Sequence, residues 1–268
     1  MPQMRRTLAT VLAVLAALCL GACGDGTVRV DFRPEEGATY RYEVRIRSES
    51  ETVLATGAPQ LRTDDVILLA EHTVLQTGVD GVRVRVVLAE PEGARRTFEV
   101  VFDRAAQLQA IESIEGVPSE VLGELGLAEL FPVAAGGPPD RGLAPGDRWE
   151  VDAQVALGVT TPLSRLTGGG RLVQLDVEGD HDVALLRSET ELPVLTTRSS
   201  AKGELRLDGI QRTEQDATRD LADGSVRAAS SRTVGRYDLT VAPPAGTTGS
   251  PVTGILTVTV TSETRRVR

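Results

Sequence analysis

Strict alternation of apolar and polar residues is the feature that most constrains the fold of this chain. Residues 40–47 read YRYEVRIR, and residues 82–88 read VRVRVVL. A period of two places the apolar side chains on one face of an extended strand and the charged ones on the other. The sequence therefore predicts a mainly β protein whose strands have one buried face and one solvated face.

Short turns separate the alternating segments. Asp80-Gly81 and Asp223-Gly224 are hairpin signals, and strands joined by such short turns must be antiparallel. Val28, Val30 and Phe32 predict a first strand close to the N-terminus, whereas 48–63 and the triplet at 168–170 are predicted as loops, the former with a weak edge strand as the alternative. Further strands are expected at 66–75, 98–102, 149–157, 172–177, 183–189, 191–196, 203–207, 213–221, 225–234, 237–241 and 256–260.

The alternation fades between residues 103 and 131. Pro118 can open a helix here, and Gly123 and Gly126 would each weaken it by about 1 kcal/mol relative to alanine, so one or two short helical turns are expected. A Gly/Pro-rich stretch follows from 134 to 146. The apolar residues of this insertion are Val121, Leu122, Leu125, Leu127, Leu130 and Phe131.

The predicted architecture is a curved antiparallel sheet, a half-barrel, with a short central helical insertion. A two-sheet β-sandwich is the alternative. The sequence contains a weak internal repeat: Gly37-x-x-Tyr40 resembles Gly146-x-x-Trp149, and a Gln-x-x-Val-x-Gly pattern occurs at both 76–81 and 174–179. Two explanations fit these matches. One is a pair of related halves, 28–102 and 147–262, joined by 103–146, and the other is chance similarity of β-turns.

The first 22 residues are predicted to be a secretory leader. Arg5 and Arg6 precede an uncharged apolar run from Leu8 to Leu20, which is too short to span a bilayer as a helix but suits a secretory signal. Leu20-Gly21-Ala22-Cys23 resembles the lipobox of bacterial lipoprotein precursors. That resemblance implies cleavage between Ala22 and Cys23 and diacylglycerol on the Cys23 sulfur. The expected organisation is a signal peptide at 1–22, a lipidated tether at 23–27 and one antiparallel β domain at 28–268.

The cysteines and the net charge limit which reactions and partners are expected of the chain after residue 22. The sequence has two cysteines; Cys19 leaves with the leader and Cys23 is alkylated, so no disulfide and no thiol nucleophile or ligand is expected. The net charge of −9 disfavours nucleic acid as a partner, and so does the low aromatic content of 3%.

No pattern in the sequence predicts catalysis, a metal or a cofactor. The two histidines, His72 and His181, lie in separate contexts and are expected at the surface, and a zinc site would need three or four ligands. The nucleophile elbow Gly-x-Ser-x-Gly is absent from the sequence. We therefore expect a protein that is not an enzyme.

The β pattern with its central helix resembles, in architecture, the lipid-binding envelope lipoproteins of the LolA/LolB and LprG/LppX kind. This resemblance implies a hydrophobic ligand or lipid held between sheet and helix, lined by the six apolar residues from Val121 to Phe131. A structural or protein-interaction lipoprotein with a solid core is the alternative, and a hydrolase is a weaker one. The expected location is the cell envelope, at the outer face of the cytoplasmic membrane or at the outer membrane. The membrane is then a partner through Cys23, and the sequence names no protein partner.

Overall fold

The computed structural model describes residues 26–267 except 56, 80, 90–92, 94, 107, 116–136, 157–162, 201–202 and 245. Eleven strands form a single antiparallel sheet. The strands are β1 (Thr39–Leu54), β2 (Gln60–Gly78), β3 (Gly81–Ala89), β4 (Arg95–Phe102), β5 (Leu108–Glu115), β6 (Arg148–Ala156), β7 (Leu163–Glu178), β8 (His181–Ser200), β9 (Gly203–Asp220), β10 (Val226–Ala242) and β11 (Val252–Val267). The mainly β, antiparallel prediction is confirmed, and the described strands do not divide into the two sheets of a sandwich.

The strand order is β5-β4-β3-β2-β1-β11-β10-β9-β8-β7-β6. Every neighbouring pair except β1–β11 is also consecutive in the sequence. β1 and β11 pair along almost their whole length, from Arg41↔Val267 to Leu54↔Gly254. Among the described strands, the two at the ends of this order are β5 and β6, which follow one another in the chain. Because the number of strands is odd, β5 and β6 run in the same direction and could not be joined by a simple antiparallel hairpin.

All the alternating strands turn their apolar residues to the same side of the sheet. Tyr40, Tyr42, Val44 and Ile46 of β1 are buried, and the register places Val44 opposite Leu68. We call the side of the sheet that carries these residues the inner face and the opposite side the outer face. On the outer face, arginine–carboxylate pairs bridge neighbouring strands, and screening by solvent keeps the contribution of these exposed pairs to stability small. They are Arg41–Glu71, Arg85–Glu99, Arg165–Asp152, Arg187–Asp216 and Arg212–Glu191.

Two apolar clusters lie on the inner face. The first covers β1 to β4 and includes Val44, Val86, Phe98 and Phe102. The second covers β6 to β8 with Tyr237 of β10, and its members include Val30, Leu143, Trp149, Val151, Leu166, Leu172, Leu186 and Leu192. Between them the inner face is polar: Ser231 and Ser262 share a hydrogen bond of 2.9 Å, and so do Thr213 and Thr233. These hydroxyls therefore offset part of the cost of their own burial.

The segment before β1 crosses the inner face rather than adding a strand. Val28 forms an isolated bridge with Leu143, and the Phe32 amide donates to the Arg104 carbonyl at 2.7 Å. The expected strand at Val28–Phe32 is thus wrong. These residues instead form an irregular segment that contacts Leu143 and Arg104, in two separate parts of the chain.

The two sequence repeats occupy equivalent backbone positions. Gly37 N–H donates to Val74 O at 2.9 Å, and Gly146 N–H donates to Leu172 O at 2.7 Å. Both glycines have a positive φ, 82° and 95°. A register shift follows each acceptor, between Val74 and Gln76 in one hairpin and between Leu172 and Gln174 in the other. The same turn-and-bulge arrangement is therefore built twice.

Several local predictions need correction, and one lies outside the described residues. Strands β1 and β2 extend through most of 48–63, where a loop or a weak edge strand is predicted, and both lie inside the sheet. Residues 168–170, predicted as a loop, lie within β7. β8, β9 and β10 are each one long strand where two were expected. β5 occupies 108–115, where the alternation had faded, because register shifts at Glu99/Val100 and Val101/Phe102 interrupt its pairing with β4. The expected helical turns at Val121–Phe131 lie outside the described residues.

Candidate ligand site on the inner face

Several predicted site residues are not among those that the structure describes. Ala22 and Cys23 precede residue 26, and the six apolar residues expected to line a ligand fall within 116–136. The cleavage site, the lipidation site and the lining of the predicted cavity thus stay predictions. The described residues place other side chains on the inner face, and the candidate site is built from these.

His72 lies in the first apolar cluster and not at the surface as expected. Its ring is 5.0 Å from the Tyr42 ring in an edge-on arrangement and 6.2 Å from the Phe102 ring. Burial disfavours the charged imidazolium and lowers the pKa of His72 to about 3. His72 is therefore a neutral core residue at physiological pH, which is unsuited to proton transfer there.

His181 is the more exposed histidine and sits at the turn between β7 and β8. Its Nδ1 is 2.7 Å from the carboxylate of Asp220, which is almost completely buried, and its Nε2 is 3.2 Å from Asp180. Asp220 also accepts from Arg227 at 3.3 Å and from the Ala222 amide. A buried aspartate that orients a histidine is one part of a catalytic triad, but among the described residues no serine hydroxyl hydrogen-bonds to His181.

Arg219 is the most unusual buried residue of the inner face. It lies on β9 opposite Ala184 and Val226, and its exposed fraction is 1%. Its Nη2 donates to the Ala105 carbonyl at 3.0 Å, while Nε and Nη1 have no hydrogen-bond partner among the described residues. Burial lowers the pKa of Arg219 to about 10 against the opposing fields of Asp103 and Tyr42, so the guanidinium keeps its charge at neutral pH.

A small cavity lies beside Arg219. Its volume is about 10 Å³, which accommodates a group the size of a water molecule or a single oxygen atom. Ser188 and Gln215 contribute polar side chains, and these two residues are directly opposite each other in the sheet. The complete lining is Gly137, Pro138, Trp149, Leu186, Ser188, Gln215, Ala217 and Arg219.

Gly170 explains how Trp149 reaches this cavity. The two residues are paired across β6 and β7. A Cβ atom on Gly170 would lie only 2.2 Å from the indole ring. The absence of a side chain therefore lets the indole lie over β7, next to Leu186 of β8. Trp149 is the only tryptophan of the chain, so it is a natural reporter of the cavity.

An open groove of about 480 Å³ crosses β8 to β11 and has a different character. It is lined largely by charged side chains of the outer face, among them Arg187, Glu189, Glu214, Arg232 and Glu263. Arg187 is already paired with Asp216 at 2.6 Å. Mixed, partly paired charges in an open groove are what a solvated sheet face presents, and we assign no site to it.

The described residues contain no group of three or more His, Cys, Asp or Glu side chains placed to hold a metal ion. Within the same part of the chain, no helix is long and apolar enough to cross a bilayer.

Sequence reasoning missed Arg219, although a signal was present. Counting by two from Ala217 places Arg219 on the inner face. The preceding inward positions on β9 are Gln215 and Thr213, so the apolar phase of this strand is hidden by polar residues. An arginine in phase with a buried alanine is the pattern that could have indicated it.

Comparison with known proteins adds no assignment. No protein-family model matches the chain, and no curated protein matches it. Among solved structures, the P. putida toluene transporter TodX aligns at 9% sequence identity over 88% of this chain and 91% of that chain, with a TM-score of 0.16. A TM-score this low does not establish a common fold.

Proposed function

We propose that this protein is a lipid-anchored cell-envelope protein, not an enzyme, which holds a hydrophobic or amphipathic ligand against the inner face of its sheet. The observation on which this rests is the inner face itself. It carries two apolar clusters and a cavity lined by Trp149 and Leu186 of the second cluster and by Arg219, a buried arginine that forms no ion pair with the described residues. Ligand sites in proteins are commonly apolar surfaces with a few converging polar groups.

The anchor is proposed from the lipobox at Leu20–Cys23. Val28, only five positions after Cys23, is already hydrogen-bonded to Leu143. The tether is therefore short, and the folded body would lie close to the membrane that holds the lipid, either the cytoplasmic or the outer membrane. Two or three acyl chains anchor a protein stably where one does not.

Metabolic labelling with an alkyne analogue of palmitate tests the anchor. We expect label on the wild-type protein and on Cys19→Ser, and none on Cys23→Ser. Cys19→Ser is a matched control, since it removes the other cysteine of the leader. Equal labelling of Cys23→Ser would refute lipidation at this position.

Strong curvature of the sheet is part of the proposal. β4 and β9 are six strand spacings apart in the sheet order, which is about 29 Å in a flat sheet. Yet Arg219, close to the end of β9, hydrogen-bonds to Ala105, just beyond β4. A half-barrel whose inner face closes at this end accounts for the contact.

We further propose that the two halves, 28–102 and 147–262, are related by duplication. The support is the repeated turn and bulge at Gly37–Val74 and Gly146–Leu172. Each half is itself a meander in the sheet, β1 to β5 in one and β6 to β11 in the other, and the two meanders meet through the β1–β11 pair.

Mass spectrometry of lipids extracted from the purified protein tests the binding function. The protein is the chain from residue 24 onward, which lacks the anchor and contains every residue that the structure describes. We expect a lipid or other apolar molecule in near-stoichiometric amount. Leu192→Gln, in the second cluster, should reduce it, whereas Arg212→Gln on the outer face should not. Failure to recover any such molecule, together with no binding of added amphiphiles, would refute the proposal.

The small size of the cavity favours a second candidate. The cavity beside Arg219 holds about 10 Å³, far below the several hundred Å³ of a typical ligand pocket. A lipid-anchored protein with a solid core, which acts by contact with another protein, would have such an interior. The lipid extraction separates the two candidates, because a solid core would retain nothing.

A further inference from the structure

We propose that the small cavity beside Arg219 is a binding site for one monoatomic anion such as chloride. The polar side chains that line this cavity are those of Arg219, Ser188 and Gln215. The ion would be a built-in part of the folded core, distinct from any hydrophobic ligand held by the apolar clusters.

The argument begins with a buried charge that has no counter-charge beside it. Arg219 is 1% exposed. Its Nη2 donates to a neutral carbonyl, that of Ala105, while Nε and Nη1 have no hydrogen-bond partner among the described residues. Asp103 acts on the guanidinium through its field. A buried charge without a partner is strongly destabilising, so an anion held next to Arg219 would stabilise the fold.

The size of the cavity selects a single atom. Its volume of about 10 Å³ corresponds to roughly one water-sized sphere. Carboxylates, nitrate and phosphate each have several heavy atoms and are too large for this space, whereas a halide is one atom. Affinity should therefore decrease from chloride to bromide to iodide as the ion grows.

The lining supplies donors and no competing negative charge. The guanidinium of Arg219, the hydroxyl of Ser188 and the side-chain amide of Gln215 can all donate hydrogen bonds, and Ser188 and Gln215 lie directly opposite each other on β8 and β9. Among the described residues that line the cavity, none is acidic. A water molecule could accept the same hydrogen bonds, but it would leave the charge of Arg219 uncompensated.

A titration at constant ionic strength tests the site on the chain from residue 24 onward. Sodium chloride replaces sodium gluconate, whose anion is too large for the cavity, so that screening of the surface charges stays unchanged. Chloride should raise the Tm along a saturating curve, by roughly 5–10 °C at a hundredfold excess over its Kd. Nitrate and acetate should give no such increase.

Bromide gives a second, local readout. Trp149, the sole tryptophan, lines the cavity and is 9% exposed. A bromide ion bound there would quench its fluorescence through direct contact. The quenching should saturate with bromide concentration, and added chloride should relieve it by competition.

Two variants and one control locate the ion. Arg219→Met should abolish the chloride dependence of the Tm, and Ser188→Ala should weaken chloride binding by roughly tenfold or more, since it removes a hydrogen bond to a charged partner. Arg212→Met is the matched control, because Arg212 lies on the same strand but on the outer face, paired with Glu191; its chloride dependence should equal that of the wild type. The anion series on the wild type and the Ser188→Ala variant decide the question even if Arg219→Met does not fold.

Three results would overturn the proposal. A Tm and a Trp149 emission that show no saturable response to chloride or bromide would mean that the cavity contains water only. An equal response to chloride, nitrate and acetate would indicate a general salt effect. An unchanged chloride response in both Arg219→Met and Ser188→Ala would place the ion elsewhere in the protein.

Discussion

Protonation of His72 should control the acid stability of this protein. The pKa of His72 is lowered from 6.5 to about 3 by burial. In the unfolded chain it returns to about 6.5. Between these two values the unfolded state binds more protons than the folded state, so stability increases with pH across this window and is constant above it.

The size of the effect follows from the two pKa values. One unit of pKa corresponds to about 1.4 kcal/mol, and about pH 5 lies one and a half units below the unfolded value. The free energy of unfolding should therefore fall by about 2 kcal/mol between about pH 7.5 and pH 5 through His72 alone. Such a loss is a substantial part of the 5–15 kcal/mol typical of a folded domain.

Urea unfolding at the two pH values, followed by circular dichroism, measures this loss. Carboxylates also begin to titrate at the lower pH, so the decisive quantity is the difference between the wild type and His72→Phe. The aromatic replacement preserves the ring contacts with Tyr42 and Phe102. We expect His72→Phe to lose about 2 kcal/mol less than the wild type. Equal losses in the wild type and His72→Phe would refute the reasoning.

Two further predictions concern glycines. Gly170→Ala should destabilise the fold by about 1–3 kcal/mol through overpacking and shift the emission of Trp149, because the new Cβ would lie 2.2 Å from the indole. Gly169→Ala is the milder control, because its Cβ would lie 3.3 Å from a carbonyl oxygen. Equal losses of stability in the two variants would argue against the packing explanation. Gly37→Ala and Gly146→Ala should each cost about 1–2 kcal/mol, since both positions have positive φ with open space around them. Thermal unfolding of the pair measures this, and a large cost at only one of them would show that the two turns are not equivalent.

The sheet could be predicted from sequence wherever one face is cleanly apolar. Residues 40–47 alternate without exception, and they form β1 with the expected face buried. The Asp223-Gly224 turn joins β9 to β10 as predicted. In these regions local pattern and tertiary burial agree, and the period of two identifies both the strand and its orientation.

Prediction failed where buried positions carry polar side chains. The hydroxyl rows of β8 to β11 are buried yet polar, so alternation does not identify the inward phase there, and Arg219 was overlooked for this reason. Residues 168–170 look like a loop, but Gly170 is required by the indole of Trp149, a partner 21 positions earlier. His72 is in phase with Ala70 and Val74 of β2, so the alternation does place it on the inner face. The expectation of a surface position followed the polarity of histidine instead of this phase.

The pairing order between strands could not be read from the sequence either. Consecutive hairpins predict every neighbour except β1–β11, since no local turn connects these two strands. Their pairing depends on fourteen long-range partners between 41–54 and 254–267. Such contacts are visible only in three dimensions.

The β1–β11 pairing has a consequence for how the chain reaches its folded state. Arg41 and Val267 are partners although 226 positions separate them, so the centre of the sheet is also its most non-local contact. Loop closure of this length makes folding slow. The hairpins of each half can form early, but until β11 pairs with β1 they expose unpaired strand edges, which are prone to aggregate. A protein secreted N-terminus first would therefore need to remain protected until nearly all of this sequence has crossed the membrane.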